Sequence, residues 1–316
     1  MHKLITGLHH VTALASDAQS NLNFYAGILG LRMVKKTINF DAPDVYHFYY
    51  GNDVGTPGTI MTFFPYQGLT RGRKGKGQLT VTAFSIPEMS VSYWMDRLDK
   101  FNIPYIDPQE RFGVETVIYF EDPDGLGIEL VASAGDTRSP NTFGPVPEQH
   151  SIRGFYGVTL TEEGYERTAG LLTELMDHRL VTDGSNRFRF SASGHAGDYV
   201  DIVCAPDSLR SYGGAGTVHH VAFATADDRT QLEFRTKVVT QVNPTPVLDR
   251  QYFHSIYFRE PGGVLFEVAT SDIGFTLDEE RAHLGKLLKL PPWEERNRES
   301  IERGLVPVSM DLNQFK

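Results

Sequence analysis

The stretch Gly7–Tyr25, GLHHVTALASDAQSNLNFY, returns at Thr217–Arg235 as TVHHVAFATADDRTQLEFR, at a constant offset of 210 and without a gap. His9, His10, Val11, Asp17, Leu22 and Phe24 fall on His219, His220, Val221, Asp227, Leu232 and Phe234. A repeat of this length restricts the chain to folds assembled from copies of one supersecondary unit. In the first copy a strand carrying the histidine doublet leads into a helix capped near Ser16 or Asp17. Leu22, Tyr25 and Leu29 recur at helical spacing, and Gly30 ends the helix. LRMVKKTINF, VYHFYYGN and TIMTFFPY then read as strands, so the unit is β-α-β-β-β.

Two more copies lie between these. DPDGLGIELVAS aligns with EPGGVLFEVATS at an offset of 138, and Val11, Thr12, Arg32 and Val34 match Val158, Thr159, Arg179 and Val181 at an offset of 147. Four units follow, at 6–66, 78–133, 151–205 and 215–271. SAGDTRSPNTFGPVPEQ, rich in Pro, Gly, Ser and Thr, reads as a linker over 134–150 between an N-terminal domain (1–133) and a C-terminal domain (151–272). The fold class expected is α+β.

A net charge of −10 disfavours a nucleic-acid or anionic-membrane surface. The single cysteine, Cys204, rules out an intramolecular disulfide and suits a reducing cytosol. No apolar run approaches a membrane span, so a cytoplasmic protein is expected, and a homo-oligomer is compatible with the sequence. The basic stretch RGRKGKG, Arg71–Gly77, reads as a solvated, mobile connection, with an anion-binding loop as the alternative.

Four such modules in two halves resemble the vicinal oxygen chelate superfamily, which includes glyoxalase I, bleomycin-resistance proteins and extradiol dioxygenases. The resemblance runs to about residue 272. It implies two glyoxalase-like domains in which paired modules curl into half-barrel cups, with metal ligands on the first and last strands of each module.

Strand alternation then selects the residues that face the cup. Val221 and Phe223 form the apolar stripe against the helix, which turns His220, Ala222 and Ala224 inward. The offset assigns His10 and Thr12 the same direction, and places His9 and His219 on the other face, either supporting the ligands from behind or simply packing. In the closing strand Phe266 and Val268 are apolar, so Glu267 points the other way. The first-strand position is His10, Val81, Gly157 and His220 in the four units, and the last-strand position is Thr62, Glu129, Asp201 and Glu267. Units one and four thus supply two imidazoles and a carboxylate, and units two and three supply no imidazole.

Two neutral histidines and one carboxylate with open positions match the facial triad of non-haem Fe(II) oxygenases. Glyoxalase I has four protein ligands, whereas Thr62 stands at the fourth position here. LDRQYFHSIYFREPGGVLFEVAT and the two HHV stretches are similar to the hydroquinone-type ring-cleaving dioxygenases. That resemblance implies iron, with Mn(II) as an alternative, on His10, His220 and Glu267, and acid/base or substrate groups at Arg250 and Tyr257, with Thr12 and His219 nearby. Pairing across the EPGG turn also sets Tyr257 opposite Glu267, although Tyr119 opposite Glu129 makes a shared structural tyrosine an equal reading.

The activity expected is Fe(II)-dependent cleavage of a small hydroquinone- or catechol-type ring by O2. The alternatives are a metal-dependent lyase or transferase acting on a small electrophile, and a non-enzymatic sequestering protein. Because His10 must reach His220 and Glu267, unit one is expected to pair with unit four and unit two with unit three. Past residue 272, LGKLLKLPPWEE reads as a short helix, a turn and a second helix, either packed on the fold or serving as a lid.

Overall fold

The computed structural model describes residues 3–316. Unit one consists of β1 (Gly7–Ala15), α1 (Ala18–Leu22), β2 (Arg32–Asn39), β3 (Ala42–Gly51) and β4 (Ile60–Pro65). Unit two is β5 (Gln78–Ile86), α2 (Val91–Lys100), β6 (Tyr105–Arg111), β7 (Glu115–Glu121) and β8 (Gly127–Ala132). Unit three is β9 (Gly154–Glu162), α3 (Glu166–Glu174), β10 (Arg179–Gly184), β11 (Arg187–Ser191) and β12 (Tyr199–Cys204). Unit four is β13 (Thr217–Thr225), α4 (Asp228–Val238), β14 (Leu248–Asp249), β15 (His254–Arg259) and β16 (Leu265–Thr270).

The repeat's local chemistry explains these elements. Asp17 caps α1 by accepting from the Ser20 amide at 2.7 Å, and Asp227 caps α4 by accepting from the Thr230 amide at 2.8 Å. Beyond α1 the chain continues through a wider π-helical turn, Asn23–Ile28, and reverses at Gly30, whose φ is +70°. A side chain there would also strike Val146.

Two eight-stranded α+β sheets result, in the orders β14-β15-β16-β13-β1-β4-β3-β2 and β10-β11-β12-β9-β5-β8-β7-β6. Unit one pairs with unit four and unit two with unit three, as the ligand argument required. Each sheet is joined at its centre by first strands running antiparallel, β1 with β13 and β5 with β9. Within each unit the first and last strands are parallel neighbours. Val221, Phe223, Phe266 and Val268 are buried with Phe24 in one large core, on the helix-facing side that the alternation assigned to these four strand residues.

Two expectations fail. The basic segment Arg71–Gly77 is an ordered crossing: Gly72, Arg73 and Lys76 amides donate to the carbonyls of Ala215, Tyr212 and Leu209, and Arg71 and Lys74 pair with Glu121. In the tail, the apolar run before Pro291 forms no first helix. Leu288 bridges to Lys36 on β2, and the Lys289 amide donates to the Lys36 carbonyl, because β2 is the sheet's outer strand and offers free backbone groups. The tail's one α-helix is α5 (Arg298–Gly304), beside short 3-10 turns, and Ile301 and Leu305 pack with Leu290 on Ile38. Buried Lys35 pairs with Asp278 and Glu279. The tail is a buttress for β2.

Candidate metal centre

The antiparallel join sets His10 opposite Ala222 and Thr12 opposite His220, while the β13–β16 ladder sets Ala222 beside Glu267. The three side chains from β1, β13 and β16 therefore meet on one face. His10 Nε2 and His220 Nε2 are 3.1 Å apart, and Glu267 Oε2 lies 3.3 and 2.9 Å from them, respectively. All three residues are buried, and among the described residues theirs is the one group of three His, Cys, Asp or Glu side chains that converges in this way.

The donor set fits a divalent ion. Ligands about 2.1 Å from a common ion and at right angles stand about 3.0 Å apart, close to the edges of this triangle. Ser255 Oγ donates to Glu267 Oε1 and so turns Oε2 toward the histidines. Oε2 is buried yet receives no hydrogen in a favourable direction, although His220 Nε2 is at hydrogen-bond distance. Burial pushes the Glu267 carboxyl up, but the two imidazoles outweigh it and hold the group well below the usual carboxylate range. Burial lowers His220. An ionised carboxylate facing a neutral imidazole is the state a cation binds.

The histidine doublets have a structural cause. The β1–β13 register slips between Leu8 and His10 and again between Thr12 and Ala13, so His9 and His219 are the extra residues of two β-bulges. Strict alternation, which turned both away, fails at these points. His9 Nε2 is 3.2 Å from the Thr270 carbonyl, which can only accept, so that nitrogen carries the proton. His9 Nδ1 then accepts from His10 Nδ1 at 2.9 Å, leaving the lone pair of His10 on Nε2, toward the centre. Burial lowers His9 to about 3, consistent with a neutral ring. His219 Nδ1 stands 2.8 Å from His220 Nδ1 in the same manner.

A cavity of about 390 Å³ opens over the triad, lined by His10, His220 and His219 and by Arg250, Tyr257 and Phe253. Tyr257 lies opposite Glu267 in the β15–β16 ladder. Burial drives its phenol pKa upward. Arg250 Nε donates to the Tyr257 hydroxyl at 3.3 Å, and Nη1 reaches Asp41 at 3.3 Å across the cavity mouth. Thr12 Oγ1 lies 2.8 Å from Thr62 Oγ1.

Equivalent positions in the second sheet hold ion pairs. Glu129 accepts two bonds from Arg111, and Asp201 accepts from Arg187 and, through two contacts, from Arg189, which also pairs with Glu115. Tyr49, Tyr119, Arg189 and Tyr257 sit directly opposite Thr62, Glu129, Asp201 and Glu267. The opposed tyrosine is thus a feature of the repeat, and unit three replaces it with a cation that neutralises its carboxylate. Sequence reasoning missed His47, Ser255 and Phe253. His47 was readable in VYHFYYGN, because it shares the parity of Tyr49.

The family profile "Glyoxalase/Bleomycin resistance protein/Dioxygenase superfamily" matches residues 7–130. The chain is 44% identical over 311 residues to "Putative ring-cleaving dioxygenase MhqO" of Bacillus subtilis (strain 168), covering 98% of this chain and 99% of that one. It is 34% identical over 309 residues to the chlorohydroquinone/hydroquinone 1,2-dioxygenase of Sphingobium indicum, covering 95% of each. A crystal structure of a "putative dioxygenase" from Bacillus subtilis superposes with a TM-score of 0.93 at 43% identity, over 98% of this chain and 99% of that one. Sheet pairing, converging triad and end-to-end similarity agree: the chain belongs to the glyoxalase/bleomycin resistance protein/dioxygenase superfamily and is one of its ring-cleaving dioxygenases.

Proposed function

We propose that the protein cleaves the ring of a small hydroquinone- or catechol-type compound with O2, using Fe(II) held by His10, His220 and Glu267. The observation that carries this reading is the facial triangle of three buried donors at the floor of an aromatic-lined cavity of about 390 Å³. The activity named for the Sphingobium indicum relative supports the substrate class. Both atoms of O2 enter the product as one ring C–C bond breaks, so the aromatic diol itself is the reductant and no external one is consumed. When bound, Fe(II) supplies the redox centre and the Lewis acidity that favours ionisation of a ring hydroxyl.

The chain's own groups bind, orient and shield. His9, hydrogen-bonded to the Thr270 carbonyl, fixes the His10 tautomer, and His219 stands in the corresponding place beside His220. Thr12 holds Thr62 by their hydroxyls beneath the cavity. The Tyr257 phenol, kept protonated, is placed to donate to a ring oxygen. Arg250, fixed between Tyr257 and Asp41, stabilises negative charge that develops on the ring oxygens. Phe253, against His9 and His10 with centroids 5.1 Å from each, keeps water from the ring face.

Oxygen consumption tests the reading directly. Protein loaded anaerobically with Fe(II) should take up one O2 per ring opened when mixed with hydroquinone or catechol. No uptake with either compound, with iron verified in the protein, would sink it.

A further inference from the structure

His47 is a titratable cavity group to which the proposed function gives no task. It stands on β3, on the opposite arm of the sheet from β15, while β1, β13 and β16 between them carry the triad. A ring resting on that floor has Arg250 and Tyr257 on one side and His47 on the other, and all of these line the same cavity.

The His47 ring is held from behind. Its Nε2 lies 2.9 Å from Thr62 Oγ1, which lies 2.8 Å from Thr12 Oγ1. Tyr49 and Phe64 pack on it with centroids 4.0 and 4.3 Å away. Among the described residues Nδ1 has no hydrogen-bond partner, yet it is not among the fully buried orphan atoms. The residue retains 9% exposure and lines the cavity. Burial, with the Arg250 charge in the same cavity, holds its pKa well below 6.5, so the ring is neutral.

A neutral imidazole has one N–H and one lone pair, and here only one nitrogen is engaged. If Thr62 donates to Nε2, Nδ1 carries the hydrogen into the cavity, and if Nε2 donates to Thr62, Nδ1 presents a lone pair. Rotation of the Thr12 and Thr62 hydroxyls exchanges the two states with no change in charge. Such a group suits a phenol, which both donates and accepts. We infer that His47 recognises the second hydroxyl of the bound ring, the one not held at the triad, and so selects dihydroxybenzenes over monophenols. The inference rests on the ring-cleaving reading of the site.

Calorimetric titration of the Fe(II)-loaded protein under anaerobic conditions tests it without turnover, with hydroquinone and phenol as probes. The wild-type protein should bind hydroquinone roughly five- to tenfold more tightly than phenol, the scale of one hydrogen bond. His47→Phe, which keeps a flat ring against Tyr49 and Phe64, should bring that ratio to about one while iron content stays constant. An unchanged ratio in iron-replete His47→Phe overturns the assignment of His47 and leaves the ring-cleaving reading standing. Should His47→Phe lose its iron, Thr62→Val supplies the same measurement with His47 unanchored: a ratio that falls supports the assignment, and one that does not refutes it. Wild-type protein that holds iron and binds neither probe would remove the ring-cleaving reading, and this inference with it.

Discussion

His10 and His220, 210 residues apart in the chain, place their Nε2 atoms 3.1 Å from each other. Two neutral imidazoles gain nothing by presenting lone pairs to one another at that distance. The Glu267 carboxylate beside them, anchored by Ser255 through its other oxygen, makes the arrangement that of a cation site rather than of a hydrogen-bonded core.

Replacing Glu267 by Gln removes the only charge in the donor set while keeping its shape. Iron affinity should fall by more than about a hundredfold, beyond the effect usual for an outer-shell partner. Elemental analysis after dialysis reads the loss, and an unaltered circular dichroism spectrum confirms the fold. Retention of full iron would mean that the triad is not the binding site.

His9→Phe breaks the chain from Thr270 through His9 to His10 without emptying the space beside Phe253. The His10 tautomer is then no longer fixed, and iron affinity should drop by roughly 10- to 100-fold. A competition titration against a chelator measures this. An unchanged affinity would reduce His9 to packing.

The Thr168 hydroxyl lies 2.7 Å from Glu162 Oε2 and 2.6 Å from Glu260 Oε2. It has one hydrogen, so one of the two carboxyls must carry a proton to make both contacts attractive. Burial, then repulsion from Glu260, raises Glu162 to about 8, and burial also raises Glu260. A carboxyl raised in the folded state keeps a proton that the unfolded chain has released, so stability is lost as pH rises from about 4.5 through 8. Glu162→Gln should flatten that loss. Melting temperatures from pH 5 to 9 should show a difference between variant and wild type that moves in favour of the variant as pH rises; parallel curves would refute the shared proton.

Arg189 is 4% exposed and neutralises Asp201 and Glu115 in the second sheet. Arg189→Leu leaves two buried carboxylates short of a cation, a loss of about 3–5 kcal/mol. Thermal unfolding should shift down by about 10 °C. Iron content should be unchanged, because the triad stands in the other sheet. A variant as stable as wild type would show that Arg111 and Arg187 suffice.

What the sequence determined by itself was everything that repeats. The duplicated strand and helix, the β-α-β-β-β order, the inward parity of His10, His220 and Glu267, and the Tyr257–Glu267 opposition are local regularities of period 2 and 3.6. Even the pairing of units one and four followed, because three ligands split between two cups would bind an ion poorly. The tertiary structure decided what departs from the period. Bulges at His9 and His219 bring both rings beside the ligands, since an extra residue in an antiparallel ladder leaves no regular face for it. The apolar run before Pro291 became a strand-edge buttress rather than a helix, because the free backbone of β2 lies within its reach only in the folded chain. His47 acquired its place from the curl of the sheet, which brings β3 round to face β15 across the cavity, a proximity that no spacing along the chain encodes.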